Sequence, residues 1–92
     1  MTNIQSIETI LARMAELLRI DGRNDWANAL DRYHREIANN PSVTAARIRA
    51  MYGGMGSLND LVLYRNGQLM VAENDEFDTL RLELYQLCHE IT

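Results

Sequence analysis

The chain holds no lysine, one cysteine, one proline, one tryptophan and one phenylalanine among its 92 residues. Each scarcity removes a class of protein. A single cysteine, Cys88, closes no internal disulfide, so the framework of a small secreted scaffold is excluded and a reducing, cytoplasmic setting is expected. No apolar run reaches the ~18–20 residues that cross a bilayer, and Met1-Thr2-Asn3-Ile4-Gln5 lacks the basic region and apolar stretch of a secretion signal. Soft or borderline metal ligands are limited to Cys88, His34 and His89. Because Cys88 and His89 are neighbours, about 100° apart on a helix, they do not easily chelate one ion, and a zinc centre, which needs three or four ligands, is not expected. No metal or cofactor is expected. Positive charge is short too: nine arginines against thirteen acidic residues leave a net charge of -4 and a pI near 5.0. Tight phosphate-backbone binding needs clustered positive charge, so neither nucleic acid nor a membrane is an expected partner.

What remains is an ordinary soluble composition, 47% hydrophobic and 24% charged, which argues for a folded domain. A chain of 10.6 kDa should expose about 5,500 Å² when folded and about 15,400 Å² when unfolded, enough burial for one core and one domain over residues 1–92.

The periodicity predicts an α+β, mostly helical fold. Ile4, Ile7, Leu11, Met14 and Leu18 step by threes and fours, a helical stripe over about Asn3 to Ile20, with Thr2 and Gln5 forming a capping box. Trp26, Leu30, Tyr33 and Ile37 form a second stripe, capped by Asn24 or Asp25 and ended by Asn39-Asn40-Pro41. The short link between the two implies an antiparallel pair. A third helix is expected from a Ser42 cap through Met51, with Val43, Ala46 and Ala50 on its apolar side and Gly53-Gly54 taking the positive φ of a helix end. Between Leu61-Val62-Leu63-Tyr64 and Leu69-Met70-Val71 stands Asn66-Gly67, a strong signal for a hairpin, here over about 60–72, one face of which must pack on helices. A last helix follows Asn74 or Asp75 as cap, with Phe77, Leu80, Leu84, Leu87 and Ile91 along its stripe and Tyr85 and Cys88 widening it.

Tests for chemistry return bland readings. Gly53-Gly54-Met55-Gly56-Ser57 has no Walker lysine and follows a helix instead of a strand, so it is read as a packed or contact loop and not as a phosphate cradle. Cys88 reads as a small core residue, and His34 as a surface one. Glu73, Asp75, Glu76 and Asp78 sit where a helix dipole keeps carboxylates ionised, which opposes general-acid work by a paired dyad. Four negative charges before the next positive one do form a field suited to steering a basic partner. Tyr64 and Arg65 beside the turn add types favoured at interface hot spots. The candidate partner-binding residues are therefore Met55, Asp60, Tyr64, Arg65, Glu73, Asp75, Glu76 and Asp78, and no catalytic residue is assigned.

The run Ile48-Arg49-Ala50-Met51-Tyr52-Gly53-Gly54-Met55-Gly56-Ser57-Leu58-Asn59-Asp60-Leu61-Val62-Leu63, followed by Asn66-Gly67 and Glu73-Asn74-Asp75-Glu76-Phe77, resembles a family of small bacterial proteins of uncharacterised domain type. Some members of that family are encoded beside polymorphic or Rhs-type toxins. The resemblance implies an immunity protein, which protects its producer by binding and blocking a cognate protein toxin. The acidic helix start suits a basic cleft on that toxin, and such clefts fit a toxin acting on nucleotides, NAD or RNA; a cytoplasmic, non-enzymatic inhibitor is expected. The resemblance carries over no catalytic residue. Two other readings stay open, a regulatory or structural module that homodimerises through the stripes Ile4 to Leu18 and Phe77 to Ile91, and an enzyme with a surface carboxylate dyad.

Overall fold

Helix α1, Asn3–Ile20, forms where the three-four stripe places it. In the computed structural model, which describes residues 2–53 and 56–91, Thr2 caps it reciprocally. The Gln5 N–H donates to the Thr2 hydroxyl at 3.1 Å and the Thr2 N–H to the Gln5 amide oxygen at 3.0 Å. The buried face is wider than the stripe suggests: Ile10, Ala15 and Leu17 join Ile7, Leu11, Met14 and Leu18. The reason is that α1 packs on two helices at once, α2 (Asn24–Glu36) and α4 (Val71–Ile91). Asn3 reaches Glu90 and Arg13 reaches Glu76, so early α1 meets late α4 and the two run antiparallel.

Three helix starts depart from expectation, two of them before the hairpin. Helix α2 begins at Asn24 itself, with Arg23 at the cap position and no side-chain cap bond. Helix α3, Pro41–Ala50, starts on its proline, whose missing N–H would have no helical partner at that place anyway. Its buried side is Thr44, Ala45 and Ile48, while Val43, Ala46 and Ala50 are exposed. Helix α3 packs on α4, and the side carrying Ile48 is the one turned inward.

After α3 the chain turns at Met51 and Tyr52, so the helix ends without a left-handed glycine at Gly53. A Cβ placed on Gly53 would meet nothing within 4 Å, so no neighbour requires glycine there. Gly54 and Met55 lie outside the described residues. A short 3-10 turn, Leu58–Asp60, buries Leu58, and an extended stretch then buries Leu61 and Leu63.

The hairpin is narrower than the expected 60–72 span. Strands β1 (Tyr64–Arg65) and β2 (Gln68–Leu69) pair antiparallel, with Tyr64 opposite Leu69 and Arg65 opposite Gln68. Asn66 and Gly67 hold φ of 53° and 78°, the two positive values of a type I′ turn. All six residues from Tyr64 to Leu69 are exposed, so the paired strands project and do not lay a face on the helices. Support comes from below, through Leu61 and Leu63.

Helix α4 starts at Val71, earlier than a cap at Asn74 or Asp75 would place it. The Asn74 N–H donates to the Met70 carbonyl at 2.8 Å, already a helical bond. Its side chain is spent on the hairpin instead of on capping. The amide accepts from the Leu63 N–H at 2.8 Å and donates to the Leu63 and Met70 carbonyls at 3.0 and 2.7 Å. Phe77, Leu84 and Cys88 are buried on α4, flanked by half-buried Leu80, Leu87 and Ile91. The core is thus a four-helix packing with a projecting hairpin, an α+β and mostly helical fold. Its accessible surface of 5397 Å² matches the about 5,500 Å² of a single closed core.

Candidate partner-binding surface

The apolar residues that the hairpin leaves in solvent define the most distinctive surface. Val62, Tyr64, Leu69 and Val71 are 42%, 45%, 53% and 62% exposed, and all four lie within ten residues of one another. Sequence reading singles out only Tyr64 among them. The other three look like core residues in a strand pattern, and only the short, outward-standing pairing reveals them as surface. Leu69 shares a shallow depression with Arg65, Gln68 and Glu73, which places an acid beside the hairpin.

The acidic run is less uniform in space than along the chain. Glu76 takes a two-pronged hydrogen bond from Arg13, at 2.6 and 2.9 Å, and Arg13 also reaches Glu16 at 3.1 Å. Asp78 is bonded by Arg81. Only Glu73 among the four lies in the first turn of α4. Among the described residues, Glu73 and Asp75 enter no ion pair with an arginine, and Asp75 is exposed. Asp60 is exposed and accepts from the Gly56 N–H at 2.8 Å, so it closes its own loop while keeping a charged face in solvent. The steering charge therefore concentrates on Asp60, Glu73 and Asp75, while Glu76 and Asp78 have structural partners. Met55 lies outside the described residues.

Arg13 holds the Glu76 carboxyl below its ordinary range, chiefly through their hydrogen bond. That direction is opposite to the one a general acid needs, which weighs against a carboxylate dyad at this position. A carboxyl depressed in the folded state adds stability that is present above its unfolded pKa and lost as pH falls through the folded value. Both partners are well exposed, 43% for Arg13 and 39% for Glu76, so a double-mutant cycle of Arg13→Ala and Glu76→Gln should give a coupling of only about 0.2–1 kcal/mol at pH 7. The coupling should vanish in acid, below the ordinary carboxylate range. A coupling that persisted there would show that the pair is not acting through the Glu76 charge.

A separate cleft of about 540 Å³ opens between α3, the 3-10 turn and α4, lined by Arg49, Tyr52, Asn59, Asp78, Arg81 and Tyr85 among others. Its polar groups are largely committed to the fold. Arg81 donates to the Leu58 and Asn59 carbonyls at 2.9 and 3.0 Å, and the Tyr52 hydroxyl donates to the Arg81 carbonyl at 2.7 Å. Burial pushes the Tyr52 phenol up, which suits a structural donor. Tyr85 packs edge-on against Tyr52 with centroids 5.0 Å apart, and the Arg49 guanidinium lies 5.5 Å from the Tyr85 ring. Beneath them Cys88 is buried, and burial pushes its thiol up to about 11. A thiol so held is no ready nucleophile. His34 is half-buried, facing a groove with Glu8, Arg13 and Glu16 of α1. Among the described residues no cluster of three or more His, Cys, Asp or Glu side chains could hold a metal ion, and no helix is long and apolar enough to cross a membrane.

The chain belongs to a family described as a domain of unknown function, DUF6966, whose model matches residues 19–71. The matched span runs from the end of α1 through the hairpin to the first residue of α4. It includes Asp60, Tyr64 and Arg65 and stops short of Glu73. No curated protein and no solved structure matches the chain.

Proposed function

We propose that this protein is an immunity protein that binds a cognate antibacterial toxin, one acting on nucleotides, NAD or RNA, and covers its basic cleft. The observation that carries the proposal is the projecting hairpin. It sets Val62, Tyr64, Leu69 and Val71 in solvent beside Glu73. An apolar centre with a charged rim is the anatomy of a protein interface, and the net charge of -4 favours a basic partner. An interface of about 800 Å² per partner would occupy about one-seventh of the 5397 Å² surface. The homodimer reading is less well supported, because its stripes are largely consumed within the monomer: Ile7, Leu11, Met14, Leu18, Phe77 and Leu84 are all buried.

The test reads whether a neighbouring gene encodes a toxin and then co-expresses the two; a neighbourhood without one counts against the proposal. Growth should be restored and the two products should co-purify; failure of both overturns the proposal. With Glu73→Gln and Asp75→Asn together, the association rate should fall roughly tenfold at low ionic strength, and its salt dependence should flatten. Glu76→Gln should change the association rate less, because Arg13 already neutralises that carboxylate. An unchanged rate in the double variant would remove these two acids from the docking surface.

A further inference from the structure

The outer edge of β1 is an open strand template. In an antiparallel pair, residues alternate between those that exchange hydrogen bonds across the pair and those whose main-chain groups point away from it. Arg65 and Gln68 flank the two-residue turn and exchange bonds. Two residues back, the Leu63 carbonyl accepts from the Met70 N–H at 3.1 Å. Tyr64 and Leu69 lie between these positions, so their N–H and C=O groups point outward. Val62 has the same parity as Tyr64. Among the described residues, neither Val62 nor Tyr64 has a main-chain or side-chain hydrogen-bond partner for its backbone.

The edge is held ready, and its guards are its shortness and Arg65. Leu61 and Leu63 are anchored in the core, and the Asn74 amide fixes both main-chain groups of Leu63. Proteins protect exposed edges with charged side chains, proline, bulges or shortness; residues 61–65 hold no proline, and their one charge, Arg65, alternates to the face opposite Val62 and Tyr64. Val62 and Tyr64 stand in solvent on the face that an added strand would share, ready for cross-strand pairs with β-branched or aromatic neighbours. Exposed Asp60 lies at one end of the edge.

We infer that the partner binds by strand addition: an extended segment of a basic protein, apolar at alternate positions and carrying an arginine or lysine toward Asp60, extends the two-stranded sheet along β1. This rests on the partner-binding reading above and specifies how that surface is used. Main-chain bonding supplies the attachment, and Val62 and Tyr64 supply the selection.

The test uses Val62→Pro and the toxin encoded by the neighbouring gene. Leu61 already holds φ -73° and ψ 130°, the extended conformation required before a proline. The substitution removes one outward N–H that the fold does not use. Affinity for the toxin should fall about 10- to 100-fold, corresponding to loss of one main-chain hydrogen bond and the stranding of its acceptor on the partner, with the unfolding curve unchanged. Should the variant misfold, hydrogen exchange on the wild-type complex decides: the Val62 and Tyr64 amides should slow at least about tenfold on binding. If this protein protects cells and co-purifies with the toxin while those amides exchange as in the unbound protein, strand addition is overturned and the immunity reading stands. A toxin that neither binds nor is neutralised overturns both. If the wild-type chain alone dimerises with protection of the same two amides, a second copy occupies the edge and the hetero-partner proposal is overturned.

Discussion

Replacing Phe77 with alanine is expected to remove about 3–5 kcal/mol of folding free energy, the range seen when a buried aromatic is truncated. Phe77 is the only phenylalanine and is fully buried on α4. The Arg81 guanidinium lies 5.6 Å from its ring. Truncation therefore opens a cavity in the core and takes the apolar floor from the arginine that ties the 3-10 turn to α4. A domain of this length has a total stability of about 5–14 kcal/mol, so the variant loses a large fraction of it. The midpoint of thermal unfolding should drop by roughly 12–40 °C, at about 4–8 °C per kcal/mol for a chain of this size. Urea unfolding of the wild type and the variant measures the difference directly. A loss below about 1.5 kcal/mol would mean that the site collapses around the missing ring and that Phe77 is not a keystone of the core.

The helices and the turn were legible because their signals are local. The Thr2–Gln5 capping box and the Asn66-Gly67 turn each need only neighbouring residues to act, and both form where the pattern places them. The face of α3 was not legible, because Val43, Ala46 and Ala50 and the observed Thr44, Ala45 and Ile48 are both plausible stripes. Contact with α4, not periodicity, selects between them. The start of α4 is not legible for a related reason. Asn74 has the chemistry of an N-cap, yet its side chain pairs with Leu63, eleven residues earlier in the chain, and the helix begins before it. The candidate surface follows the same division. Tyr64, Arg65 and Asp60 were legible as exposed turn-flanking residues. The pairing of Glu76 with Arg13, sixty-three residues apart, was not, because a charge run along the chain carries no information about which helix passes beside it.

That same Asn74 gives the second large effect. Asn74→Leu keeps the branched heavy-atom outline and deletes the amide, so three hydrogen bonds are lost and the Leu63 N–H is left without a partner beside a buried side chain. The Leu63 and Met70 carbonyls retain main-chain donors, from Met70 and Asn74 respectively, so the orphaned donor dominates the cost. Net loss of such bonds together with one stranded N–H amounts to about 2–4 kcal/mol. The damage should also be local: exchange of the Leu63 and Met70 amides should accelerate toward that of the exposed turn before the rest of the core opens. Asn74→Asp separates the two roles of the amide. Its carboxylate still accepts from the Leu63 N–H but opposes the Leu63 and Met70 carbonyls. Protonation gives it an O–H donor toward those carbonyls, so the variant should regain stability relative to wild type as pH falls through and below the carboxylate range. Urea midpoints for both variants across pH 3–7 measure this. A hairpin whose amides exchange at wild-type rates in Asn74→Leu would show that Leu61 and Leu63 alone hold β1 in place, and the latch would then be dispensable for presenting the strand edge.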